Sequence, residues 1–209
     1  MLRHLRWVAL TALLAAALIG CGGHSRTSGA DAAHHGSSTA TSSAEPSPSA
    51  RAARSNDALL PASEVGSAAG GTWTQHPAKA RGTAIGACNL ADMGSIGAAS
   101  TVRRDYRSGA LTAANEVARL PDQMTARRAL KVLESFRTMC DQHPGRLTAV
   151  SLDGGTGWWY VSGSDPRADG FGVAAIGTRF SLVALHGGTR AKLAPAMPAL
   201  VTAAAARIG

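Results

Sequence analysis

An uncharged apolar run over residues 7–19 stops just short of a cysteine, Cys21, and this arrangement constrains the chain more than anything else in it. Arg3 and Arg6 precede the run and give it a positive N-terminal flank. A membrane-spanning helix needs about 20 apolar residues. This run has 13, which suits the hydrophobic stretch of an export signal rather than a stable span. A buried core helix would leave the flanking arginines and the position of Cys21 without a reason. The 209 residues then leave room for one folded domain plus extensions.

Leu18, Ile19, Gly20 and Cys21 follow the order aliphatic, aliphatic, small, cysteine. In this they resemble the lipobox of the bacterial prolipoprotein family. Gly20 leaves the cleavage point unhindered, and a thiolate is the nucleophile that thioether formation needs. The resemblance implies that Cys21 receives a diacylglyceryl group and becomes the mature N-terminus. Membrane lipid is then one partner, and the chain sits lipid-anchored on the extracytoplasmic face of the cell membrane. Each buried methylene adds about 0.8 kcal/mol, so two acyl chains hold where one would be marginal. The expected organisation is a signal over residues 1–20, an acylated cysteine with a disordered linker over 21–56, and a folded head over 57–209.

Residues 22–56 are rich in Gly, Ser, Thr, Ala and Pro and almost lack large apolar side chains, so they cannot offset the entropy of ordering. As a flexible coil this linker has ends roughly 30–35 Å apart. His24, His34 and His35 lie within it and read as solvated rather than metal-binding. Lys79, Lys131 and Lys192 are the only lysines among 21 basic residues, an arginine bias that suggests a GC-rich genome such as an actinobacterium's. The head carries 16 basic and 11 acidic residues, a net +5 that suits an anionic envelope surface. No nucleic-acid-binding motif accompanies that charge, so nucleic acid is not an expected partner.

Within the head, Pro61 fits the first turn of a helix over residues 62–69 that ends at Gly70 and Gly71. A strand should begin at residues 72–74, and Cys88 should be followed by a helical turn through Met93. Two strands, 100–107 and 111–120, join near Ser108 and Gly109. Asp122 suits an N-cap, and residues 122–141 form the clearest helix. Ala126, Ala129, Leu130, Leu133, Phe136 and Cys140 share its inner side, while Arg128, Lys131, Ser135 and Thr138 make an outer face that reads as solvated. Strands over 147–152 and 158–162 flank a glycine-rich turn. Residues 171–176 and 179–185 form a hairpin around Gly177 and Thr178, with Phe171, Val173, Ala175, Phe180, Leu182 and Ala184 on one face turned toward the long helix. A last helix over 198–208 places Leu200, Ala204 and Ile208 in one row. The sum is an α+β fold, an antiparallel sheet with helices packed on it.

With Cys21 acylated, Cys88 and Cys140 remain, and an oxidising exterior pairs them. Closing a loop of about 50 residues contributes roughly 4 kcal/mol on the chain-entropy model. Thiol labelling of the folded, oxidised head should find neither cysteine reactive, and strong labelling of both would remove the staple.

Catalytic and metal motifs are absent from the head, so no catalytic residue, metal or cofactor is expected and the chain reads as non-enzymatic. His76 and His143 precede prolines in loops, and His186 lacks a sequence partner. Asp153, Asp165 and Asp169 surround Trp158, Trp159 and Tyr160 and raise the alternative of an envelope hydrolase. The aromatic trio is the better candidate for ligand contact, because a strand sends Trp158 and Tyr160 to one face and Trp159 to the other. An interaction lipoprotein without a small-molecule pocket is the third reading. Residues 59–65 (Leu-Leu-Pro-Ala-Ser-Glu-Val), the long helix with Phe136 and Cys140, and the strand-rich C-terminal half resemble the extracellular sensor domains of PknH-like receptor kinases and actinobacterial lipoproteins. That resemblance implies an α+β sandwich with a cleft for an envelope ligand or protein partner. PknH-like domains typically carry two disulfides, whereas this head has cysteines for one.

Overall fold

The computed structural model describes residues 56–80, 92–140 and 145–209, with Cys140 described by its backbone alone. The signal, Cys21, the linker up to residue 55 and Cys88 lie outside the described residues, as does the side chain of Cys140; the staple is therefore not among the contacts below.

Pro61 starts helix α1 (Ala62–Ala69), which stops at Gly70, a left-handed residue with φ 75°. Trp73 then turns into the core, its Nε1 donating to the Gly70 carbonyl at 2.9 Å. Because that contact still belongs to the helix end, the expected strand at 72–74 shrinks to β1, the two residues Thr74–Gln75. Residues 93–97 form turns, and the helical turn expected from Cys88 to Met93 falls mostly outside the described residues. Strands β2 (Ser100–Ser108) and β3 (Leu111–Arg119) pair as a hairpin. Helix α2 (Gln123–Cys140) follows, capped as expected, with Asp122 Oδ1 accepting from the Thr125 N–H at 2.7 Å.

Four more strands form a meander: β4 (Thr148–Leu152), β5 (Gly155–Ser162), β6 (Ala168–Ile176) and β7 (Arg179–Gly188). The expected glycine-rich turn between β4 and β5 tightens to Asp153 and Gly154, because Gly155, Thr156 and Gly157 already pair with β4 and β6. Pairing of β3 with β7 joins the two halves into one seven-stranded antiparallel sheet in the order β1-β2-β3-β7-β6-β5-β4. Helix α3 (Arg190–Ile208) begins eight residues before the expected 198. Thr189 caps it, accepting from the Lys192 N–H at 3.3 Å. Pro195 and Pro198, the second of which marks the expected start, lie inside it. Burial of Leu193, Ala196, Met197, Leu200 and Val201 on the sheet offsets the two backbone hydrogen bonds they remove.

The α+β expectation holds, with helices on both faces of the sheet. On one face, Ala126, Ala129 and Leu133 of α2 pack over Trp158, Tyr160, Phe171, Val173, Phe180 and Leu182, so the hairpin face meets the long helix as its pattern requires. On the other, α3 packs Leu193, Met197, Val201 and Ala204 against Ala174, Val183 and Leu185, with α1 beside it. The two faces differ in thickness for a sequence reason. Aromatic rings hold α2 away, Trp158 and Tyr160 stacked at 6.2 Å with Phe171 5.8 Å from each. Glycine lets α3 close in: a Cβ on Gly172 would sit 2.5 Å from Val201 Cγ2, inside any real contact.

The chain enters this body through a buried clamp. Leu59 and Leu60 are fully buried. The Leu60 N–H donates to Asn115 Oδ1 at 2.8 Å, and its carbonyl accepts from the Tyr106 hydroxyl and from Arg104 Nη1. Asn115, buried in β3, also donates to Ser181 Oγ and the Leu182 carbonyl. With its Oδ1 and Nδ2 both hydrogen-bonded, Asn115 can stand in the middle of a sheet.

Candidate functional site

Trp158 and Tyr160 point into the α2 layer and are 2% and 1% exposed. Trp159 points the other way and packs, half-buried, against the α3 layer. As contact residues for a ligand, Trp158 and Tyr160 are therefore misplaced: the sheet has a helix on each face, so both sides of β5 are core. The three aspartates around them do not converge. Asp153 sits in the β4–β5 turn, and Asp165 Oδ1 accepts from the Arg190 N–H at 2.6 Å at the start of α3. Asp169 Oδ1 lies 3.1 Å from His186 Nδ1. That histidine–carboxylate pair spans β6 and β7 beside the bulge at Ala168 and Asp169 and lines neither cavity described below. Its place suits a clasp on an irregular ladder.

Two concavities stand out among the described residues. The smaller, about 340 Å³, is an open trough where the first turns of α2, with Gln123 and Arg127, pass the strand ends at Gly155 and Gly177. The larger, about 580 Å³, lies over β2 and β3. Its wall is built from Asp92, Ser95, Ser100 and Thr101, and Glu116 lies within it.

Glu116 is an unusual occupant of a central strand. Along β3, Ala114, Glu116 and Ala118 face the α2 side, while Ala113, Asn115 and Val117 face the α3 side. Both faces are covered, so the carboxyl is 2% exposed. Across the ladder its neighbours are Arg103 on β2 and Leu182 on β7. Burial pushes the carboxyl from 4.5 up to about 7. The positive charge of Arg103 and the Met93 N–H oppose the rise, and the negative charges of Asp92 and Asp105 add to it. Arg103 Nε donates at 2.7 Å to Asp105, which also meets Lys79 Nζ at 3.4 Å.

Three polar side chains of this cleft are held so that they offer lone pairs. Ser95 Oγ donates to the Asp92 carbonyl at 2.8 Å, and Thr101 Oγ1 donates to the Ala80 carbonyl at 3.1 Å. Asp92 Oδ1 accepts from the Gly94 N–H at 3.0 Å and has further acceptor capacity. The lining is thus rich in acceptors and carries two carboxyl groups. It suits a molecule rich in hydrogen-bond donors, an amine above all, and suits an anion poorly. Sequence reading missed this site, although a usable signal was present. Residues 113–118 place alanine or valine on both faces of one strand, the pattern of a strand covered on both sides, in which Glu116 is buried as well.

No protein-family model matches the chain, and no curated protein matches it. Among solved structures it is similar to the extracellular domain of PknH from Mycobacterium tuberculosis, at 14% identity, over 71% of this chain and 93% of that one, with a TM-score of 0.47.

Proposed function

We propose that this chain is a lipid-anchored, extracytoplasmic binding head, sensor-like and non-enzymatic, that takes a small donor-rich envelope molecule into the cleft at Glu116. One observation carries the reading: a carboxyl group buried in the middle of a sheet forms part of a cleft of about 580 Å³ where Asp92, Ser95 and Thr101 present acceptors. Burying such a group costs stability, and a binding site is a reason for keeping it. The lipobox residues Leu18 to Cys21 support the anchor, and the acidic cleft in a basic head supports selectivity for a cationic or donor-rich guest. The His186–Asp169 contact is the one observation that favours a hydrolase instead, and because neither residue lines either cavity that reading comes second.

The test is a thermal-shift screen of the mature chain against amines, glycans, lipids and peptides of the bacterial envelope, run in parallel on Glu116→Gln. A compound that raises the Tm of the wild type and leaves the variant unmoved supports the cleft. Compounds that stabilise both proteins equally bind elsewhere and contradict it. The anchor is tested separately by fractionation, where Cys21→Ser should release the protein from the membrane and abolish acyl labelling.

A further inference from the structure

Helix α2 has a second apolar face. Met124, Val132 and Met139 are 60%, 37% and 68% exposed, and they are the large hydrophobic side chains that the described residues leave uncovered. All three belong to α2 and point away from the sheet. At 100° per residue they fall within an arc of about 80°, opposite Ala126, Ala129 and Leu133, and the two methionines are roughly 22 Å apart along the axis. Arg128 lies inside that arc, Lys131 about 20° beyond it, and Arg127 about 60° beyond it toward the trough at Gly155 and Gly177; all three are exposed. The helix's other arginine, Arg137, is turned inward to the Gly145 carbonyl at 3.0 Å. Glu134 is the single acid in the helix.

We propose that this outer face of α2 docks on the surface of an anionic lipid bilayer. The mixture of side chains selects that occupant. Exposed cations alone would serve any polyanion, and a wall polysaccharide has no use for methionine. An anionic lipid interface takes both, with the arginines and lysine at the headgroups and the methionines at the acyl boundary. The inference rests on the anchor reading only for nearness to the membrane, and it is independent of the cleft. A 35-residue tether of the kind expected from the sequence would hold the head at an effective concentration in the millimolar range, so a weak docking face is enough. The chain enters the fold at Leu60 on the α3 side of the sheet, and a linker of 35 residues, reaching roughly 115–125 Å when extended, can pass around the head. Docked in this way, α2 lies against the bilayer and the tether restrains the head's orientation.

The test reads the methionines directly. The mature chain is held through an N-terminal polyhistidine tag on chelator-lipid vesicles, which supplies nearness whether or not Cys21 is acylated. Oxidation of Met124 and Met139 by peroxide is followed by mass spectrometry on phosphatidylcholine vesicles with and without phosphatidylglycerol. Both methionines should oxidise about fivefold more slowly on the anionic vesicles, as burial at an interface implies. Protection should vanish in high salt and in the Arg127→Ala, Arg128→Ala, Lys131→Ala triple variant, whose changes touch only exposed positions. Equal oxidation on the two vesicle types would overturn the proposal, as would protection that survives loss of the three cations. Because nearness comes from the tag, failure of the lipid-anchor reading shows up only in the Cys21→Ser fractionation and not here.

Discussion

Replacing Glu116 by glutamine should stabilise the fold by about 3 kcal/mol at pH 8 and by nothing below pH 4. The sign follows from the direction of the shift. Burial raises the carboxyl from 4.5 to about 7 in the folded state, so below pH 4 it is neutral in both folded and unfolded chains and there is no difference to lose. Between pH 4.5 and 7 the unfolded chain ionises while the folded one stays protonated, and wild-type stability falls as pH rises. Above pH 7 the folded carboxyl must ionise in the core, and the loss is complete. Glutamine keeps the shape and never charges. Denaturant unfolding of both proteins across this range should show the gap opening between pH 4.5 and 7 and staying level above. A gap of constant size would mean that the carboxyl is not buried as described.

Trp158→Ala should cost about 3–5 kcal/mol, among the largest effects of any single truncation in the head. Trp158 is buried between Tyr160 and Phe171 and supports α2 from beneath, and the cavity left behind has no neighbour free to fill it. Trp159→Ala, one residue along, should cost less than half as much, since that ring is only half-buried at the edge of the α3 layer. Measuring the two variants side by side separates packing from ligand contact. A Trp158→Ala protein of near wild-type stability would show that the aromatic layer does not carry the fold.

Much of the architecture is legible in the residues. The inner stripe of α2, its Asp122 cap and the hairpin around Gly177 each rest on a pattern with one physical outcome, and each appears where that pattern puts it. The reading fails where tertiary burial overrides local chemistry. By its pattern the last helix starts at Pro198, where proline fits a first turn, yet burial of Leu193 and Met197 extends α3 back to Arg190 through both Pro195 and Pro198. The aromatic run at 158–160 drew attention because aromatic side chains can hold ligands, but helices on both faces of the sheet turn it into core. The cleft was hidden for the converse reason. A glutamate among alanines in a strand reads as a solvent-facing residue until it is known that both faces are covered. Its neighbours in the cleft, Asp92 and Ser95, come from a turn in sequence and from no recognisable motif.

The outer face of α2 shows the limit of charge patterns read alone. Arg128 and Lys131 on a helix exterior ordinarily signify solvation. The exposure of Met124 and Met139 beside them is the added fact that gives the face a direction.

The buried carboxyl can be watched directly. In the mature chain labelled with carboxyl-¹³C glutamate, the Glu116 resonance is identified by its loss in Glu116→Gln, and its shift is followed against pH. A midpoint near pH 7, moving downward when a donor-rich ligand occupies the cleft, is the expected result, because a cation or donor beside the group favours its charged form. A midpoint near 4.5, unmoved by any ligand that binds, would place Glu116 in water and remove the cleft from the function of this protein.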